Sequence, residues 1–243
     1  MTQPRKIALP RYAEYNCAMK YLIEQGFESV CILPPPLTKH TEEIGAKYSP
    51  DYVCTPFKTT LGSMIEALEA GADTLVMVYG LCRLNYYGEL QEQILRDFGY
   101  EFDFINLSAY DTGKKKDILK AAKAINPKVK MAKLTAAFAE AARMVEHLDD
   151  ITSRYYQICG FDRTDHCRRT YKRFLSSLYL AQNIQDIEQA YREARLALTD
   201  GGPEKPGHPL RVGIVGEFYT AMDAFQTWRG RKNYPAWGWR SIG

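Results

Sequence analysis

The run TLVMV at residues 74–78 constrains this chain more than any other feature. A strand with no polar alternation is buried on both faces, and such strands belong to parallel sheets covered by helices on either side. The neighbouring sequence agrees. KIAL at 6–9 is followed by a helical pattern over 12–25, which Gly26 ends. SVCIL at 29–33 reads as a second strand, and the three prolines that follow it cannot sit in a helix interior. Leu61, Ile65 and Leu68 share one face of a helix over 60–70, closed by Gly71. A helix over 87–98 stops at Gly99, and 101–106 reads as another strand. Strand–helix alternation of this kind predicts an α/β fold with a parallel sheet and right-handed crossovers.

The pattern then changes. From about 114 to 199 the periodicity is helical with almost no strand signal, as in LTAAFAEAARMVEHL. The expected organisation is an α/β domain at 1–113, a helical subdomain at 114–199, a Gly/Pro-rich linker at 200–209, and the start of a second α/β domain at 210–243. RVGIVGEF opens that last part, and nothing after it completes a domain. The final seventeen residues hold four cations, no acid and all three tryptophans, Trp228, Trp237 and Trp239. So sharp a break in composition marks them as a different kind of sequence from the body.

With 46% hydrophobic and 25% charged residues, the chain has the composition of an ordinary globular protein. Disorder, collagen-like and small disulfide-stapled classes are excluded. No window approaches the roughly 18 apolar residues of a spanning helix, and the N-terminus lacks a secretory pattern, so the expectation is a cytoplasmic protein without a membrane partner. The net charge of +3 is too small to imply nucleic acid. The lysines at 114–116, 120 and 123 read most simply as a solvated helix face, since the aromatics needed to stack single-stranded bases are missing there. No Walker or G-x-G-x-x-G pattern occurs.

Six cysteines in a chain with no export signal are buried thiols, metal ligands or nucleophiles. Cys54, in CTPFK, directly precedes a helix start, and Cys82, in GLCR, follows the buried strand. In open parallel sheets, ligands gather at the C-terminal strand ends. If both loops lie there, the two cysteines approach one another, and Lys58 and Arg83 favour the thiolate form. Thiolates so placed bind iron–sulfur clusters or act as nucleophiles; two unrelated loop cysteines are the plainer alternative. Cys17 and Cys31 read as core residues, and Cys159 and Cys167, at C-x7-C spacing, match no standard zinc pattern. Arg11, just past the first strand, stands where an anion could bind, and equally reads as an exposed loop arginine.

Four segments, IALPRY, LTKHTEEIGAKYSPDYVCTPFKTTLG, EALEAGADTLVM and GLCRLNYYGELQEQILRDFGY, occur in order over residues 6–104. Together they resemble the 2-hydroxyacyl-CoA dehydratase-like proteins, which include double-cubane-cluster reductases and chains described as CoA-enzyme activase-related. RYYQICGFDRTD and RVGIVGEFYT look like later landmarks, which extends the resemblance to about Phe225. The resemblance implies a Rossmann-like α/β domain, a helical region, and the start of a second, incomplete Rossmann-like domain. It also implies a low-potential iron–sulfur cluster, 4Fe-4S or double-cubane, with Cys54 and Cys82 matching cluster ligands and Lys58 and Arg83 beside them. The implied partner is an ATP-dependent activase of the actin/Hsp70 type, which supplies electrons to dehydrate a 2-hydroxyacyl-CoA through a ketyl radical, or to reduce a small molecule.

Two departures qualify this. Leu81 stands where the family has proline before the cysteine. Relatives also continue into a second domain that supplies a further cysteine ligand, whereas residues 226–243 read as out-of-family sequence, a frameshift or a broken gene. The expectation is a C-terminally truncated chain whose cluster is incomplete unless a homodimer or paralogous subunit completes it. The competing readings are a non-catalytic fragment and a cluster-free Rossmann-like module that binds a small molecule.

Overall fold

A computed structural model describes residues 4–77, 84–107, 114–162, 164–200, 211–212, 215–223, 225 and 240–241. The chain divides into two compact units, one formed by residues 1–12 and 22–136 and the other by 13–21 and 137–243.

The first unit is α/β. Four strands, β1 (Lys6–Ala8), β2 (Val30–Cys31), β3 (Thr74–Met77) and β4 (Asp103–Asn106), form one sheet in the order β2-β1-β3-β4, every pair parallel. All four residues of β3 are buried, as its unbroken apolar run requires. Between β2 and β3 lie α2 (Lys39–Tyr48) and α3 (Thr55–Glu69); α4 (Leu84–Asp97) joins β3 to β4, and α5 (Lys115–Ile125) follows β4. Phe57, Leu61, Met64 and Ile65 of α3 pack with Leu75, Met77, Leu95 and Phe102 in a single buried cluster. Each such side chain contributes about 1.5–3 kcal/mol by leaving water.

Helix α3 begins five residues before the start its apolar spacing suggests. Pro56 stands in its first turn, where the missing N–H costs nothing. The helix closes through Gly71 at φ +94°, and α4 closes through Gly99 at φ +84°, both conformations that favour glycine. Helix α2 has a reciprocal cap: Thr41 N–H donates to Thr38 Oγ1 and Thr38 N–H to Thr41 Oγ1, at 3.3 and 3.1 Å. Thr41 Oγ1 also donates to the Glu66 carboxylate of α3, whose partial burial holds its pKa above the ordinary value.

Helices α2 and α3 touch backbone to backbone. A Cβ on Gly45 would lie 1.7 Å from the Lys58 carbonyl oxygen, and one on Gly62 would lie 2.0 Å from that of Thr41. Only glycine fits at either point, and this contact sets where the first turn of α3 stands.

The second unit is helical: α1 (Asn16–Tyr21), most of α6 (Met131–Ile158), α7 (His166–Leu180), α8 (Ile184–Asp200) and the short α9 (Phe218–Met222). Strand β5 (Arg211–Val212) pairs in parallel with β6 (Arg240–Ser241), and among the described residues it pairs with nothing else. The His147 ring stacks on Tyr191 at 3.8 Å between centroids, and its Nε2 lies 3.0 Å from the Glu188 carboxylate. No helix among the described residues is long and apolar enough to cross a membrane.

Candidate functional site

The strand order places a reversal between β1 and β3, because the chain winds outward from β1 to β2 on one side and from β3 to β4 on the other. Crevices for ligands open at the carboxyl ends of the strands at such a point. Those ends are built here from Ala8 onward and from Met77 onward.

Four side chains tie this edge together. Arg11 N–H donates to Ser63 Oγ of α3 at 3.1 Å, and Arg11 Nη1 donates to the Pro34 carbonyl at 3.4 Å. Tyr12 O–H reaches Met77 Sδ at 3.6 Å, linking the exit of β1 to the last residue of β3. Arg11 is thus partly buried and held by the fold, rather than the loose loop arginine that the sequence allows.

Cys54 is the N-cap of α3, and its side chain makes no capping bond. It is exposed, and its carbonyl accepts from the N–H groups of Phe57 and Lys58. Helix α3 runs back toward the start of β3, so its N-terminus and Cys54 stand at the carboxyl edge of the sheet. No acidic residue occupies its first turn, so the positive end of the helix dipole is not offset from within the helix. Lys58 lies one turn on, on the same helix face as Cys54, half-buried and without an ion-pair partner among the described residues.

The starts of α3 and α4 are neighbours. Phe57 meets Tyr87 edge to face at 4.9 Å, and Gln91 Nε2 donates to the Phe57 carbonyl at 3.0 Å and to Thr60 Oγ1 at 2.8 Å. Thr60 Oγ1 in turn donates to the Pro56 carbonyl at 2.7 Å. Gln91 is fully buried, yet its Oε1 has no partner among the described residues. A stranded acceptor of this kind costs about 1–3 kcal/mol. The sequence signal for Gln91 is a polar residue on the inward stripe of α4, four positions from Tyr87 and four from the buried Leu95.

Cys82 and Arg83, the other two expected site residues, lie outside the described residues. The segment that carries them begins after Met77 and ends before Leu84, so both of its described flanks belong to the edge just described.

The remaining cysteines differ. Cys17, Cys159 and Cys167 are buried, and Cys31 is half-buried on β2. Burial pushes the Cys159 and Cys167 thiols up to about 12. The Asp162 carboxylate accepts from Cys167 N–H at 2.6 Å and from Thr164 N–H and Oγ1, both at 2.8 Å. Among the described residues, no group of three or more His, Cys, Asp or Glu side chains is placed to hold a metal ion.

No protein family, curated protein or solved structure matches this chain. The resemblance to the dehydratase-like proteins therefore rests on the motifs in the sequence alone.

Proposed function

We propose that the chain is an iron–sulfur protein of the 2-hydroxyacyl-CoA dehydratase-like type, with its cluster at the carboxyl edge of the parallel sheet. The observation that carries this reading is the position of Cys54: an exposed thiol at the uncapped start of α3, packed beside the start of the helix that follows the Cys82 segment. A sulfur there meets the positive end of a helix dipole, and Lys58 offsets the negative charge of a thiolate-bound cluster.

A test against the donor set sharpens the proposal. A four-iron cluster takes four thiolates, and among the described residues no group of three or more His, Cys, Asp or Glu side chains is placed to hold a metal. Cys54 and Cys82 then form half of a ligand set that a second copy or a paralogous subunit completes. When bound, a low-potential cluster supplies single electrons, received from an ATP-dependent activase, for dehydration or reduction of a small, CoA-linked substrate. In this reading the first unit is a Rossmann-like domain, and β5 opens a second one.

The chain's own residues have separate tasks. Arg11, held by Ser63 and Pro34, lines the crevice between β1 and β3 with positive charge that suits an anionic substrate group. Gln91 fixes the first turn of α3 from below, which keeps Cys54 at a constant height over the sheet.

The test is anaerobic reconstitution with iron and sulfide, followed by an iron assay and electron paramagnetic resonance after reduction. Wild type and Cys31→Ser should bind iron, while Cys54→Ser and Cys82→Ser should lose it. Iron retained in full by both of the latter overturns the assignment. A wild type that takes up no iron, alone or as a dimer, favours the cluster-free binding module instead.

A further inference from the structure

Residues 114–133 contain eight lysines and one acid, Asp117, a net +7 within a chain of net +3, so the other 223 residues sum to −4. The structure shows where this charge goes. Helix α5 buries Ala122 and Ile125. Its far end is fixed by Arg5 Nη1 donating to the Ala124 carbonyl at 2.7 Å and Asn126 Nδ2 donating to the Phe27 carbonyl at 2.7 Å. Lys116, Lys120 and Lys123, spaced i, i+4 and i+7, share the opposite, exposed face. Lys128, Lys130 and Lys133 continue the exposed strip through the turn into α6.

This arrangement works against the helix that carries it. Lys116 and Lys120 are like charges at i, i+4, a destabilising spacing. The helix begins with lysines at 114, 115 and 116, against the one acid Asp117, and has no side-chain cap, although the dipole disfavours cations there; only Lys123, in the last turn, suits it. Five helical cations elsewhere are paired at i, i+3 or i, i+4 spacing, Lys39 with Glu43, Arg96 with Glu92, Arg143 with Glu146, Arg154 with Asp150 and Arg168 with Asp165, while others such as Lys58 have no ion pair among the described residues. On the strip, Lys120 meets Asp117 at 3.7 Å and Lys133 meets Glu28 at 2.7 Å, while Lys116, Lys123, Lys128 and Lys130 have no ion pair among the described residues. Local rules broken without gain to the fold mark a functional surface.

We propose that this lysine strip docks an acidic face of a protein partner. The proposal is independent of the cluster reading. Charge complementarity gives the sign of the partner, and the residue types give its class. The segment contains no arginine and no aromatic residue, which removes the fork geometry and stacking surfaces that nucleic acid recognition uses. The exposed apolar residues beside the lysines, Ile118 at 41%, Leu119 at 36% and Met131 at 37% exposure, are each mostly covered and offer too little area to enter a bilayer. Hydrated lysine ammonium groups suit a transient, charge-steered protein encounter.

Poly-L-glutamate serves as the acidic probe, with phosphatidylcholine–phosphatidylserine vesicles and duplex DNA compared at equal charge. Wild type should bind poly-L-glutamate most tightly at low salt and lose most of that binding by about 200 mM salt. The variant K116E/K120E/K123E should bind roughly tenfold more weakly. R169E/K172E/R192E, with the same change in net charge on another helix pair, should bind within about twofold of wild type. In the first variant K116E adds an acid to the first turn of α5, where the dipole favours it, and K123E adds one to the last turn, where it does not, so the two offset and the urea midpoint should move little. Equal weakening by both variants, tighter binding to DNA or vesicles, or a large fall in the urea midpoint of the first variant overturns the proposal.

Discussion

Cys54 and Cys167 both stand at helix starts, and the two helices treat them in opposite ways. At α7 the anion-binding position is taken by the chain itself: Asp162 reaches across the turn to the Cys167 N–H at 2.6 Å, and the thiol is buried with its pKa pushed up to about 12. At α3 no carboxylate is present, Pro56 removes one N–H, and the sulfur is left exposed. The same residue type near a helix start is a packed hydrophobe in one unit and an exposed thiol in the other. What separates them is whether a neighbouring carboxylate closes the helix end.

Thiol labelling gives the widest separation. At pH 7 a group with a pKa near 12 is ionised at about one part in 10⁵, against a few per cent for a free cysteine, so Cys159 and Cys167 should alkylate at least about a thousandfold more slowly than a cysteine peptide. Cys54 should label in the native protein before either. Mass-spectrometric mapping after a short iodoacetamide pulse measures this, and early labelling of Cys167 would erase the contrast.

Next in size is the glycine contact that places Cys54. Gly45→Ala and Gly62→Ala each force a Cβ into a carbonyl group of the opposite helix, and each should cost about 3 kcal/mol or more, read by urea unfolding. Gly71→Ala meets nothing within 4 Å and carries only the left-handed backbone penalty, about 1 kcal/mol. Equal losses at all three positions would mean that the helices separate readily and that α2 does not fix the start of α3.

Much of this frame was legible in the sequence. TLVMV identified a strand buried on both faces, Gly71 and Gly99 marked helix ends, and the long helical stretch beyond 114 is occupied by α5 to α8. Other features were not legible, for physical reasons. The start of α3 is set by the packing of Phe57 against α4 and by the glycine contact with α2, neither of which has a 3.6-residue signature. SVCIL keeps only Val30 and Cys31 in the sheet, where they pair with Lys6 and Ile7 of β1. Cys54 was singled out as a candidate by its position before a helix, but its exposure is a tertiary fact. Gln91 was missed because a lone glutamine among surface-like residues draws no notice until its neighbours prove to be buried.

The turn that closes α7 should respond to mutation in proportion to the bonds Asp162 makes. Asp162→Ala strands the N–H groups of Cys167 and Thr164 and should cost about 1–2 kcal/mol, while Asp162→Asn should cost less, because an amide oxygen still accepts. Burial alone would raise this carboxyl's pKa, but the bonds from Cys167 and Thr164 outweigh it, and the pKa lies below its ordinary value. If Asp162→Ala also speeds alkylation of Cys167, the carboxylate is what keeps that thiol closed. An unchanged rate would assign the protection to packing alone.

The smallest effect belongs to Glu188, and it tests whether the helical unit is held by its charges. Bonds from His147 and Arg143 depress the Glu188 pKa, with the two nitrogens 3.0 and 3.1 Å from the same oxygen. A carboxyl whose folded pKa is lowered contributes stability that is present above its unfolded value and is lost as pH falls through the folded one. The relevant window therefore opens just below the ordinary glutamate value and runs toward lower pH. Glu188 and Arg143 are partly exposed, so solvent screens the pair and its contribution should be small. Urea midpoints of wild type and Glu188→Gln should thus differ at pH 6 and converge by about pH 3. A gap that stays constant across that range would mean the glutamine lost packing against His147 rather than charge, leaving the stacked His147–Tyr191 pair as what joins α6 to α8.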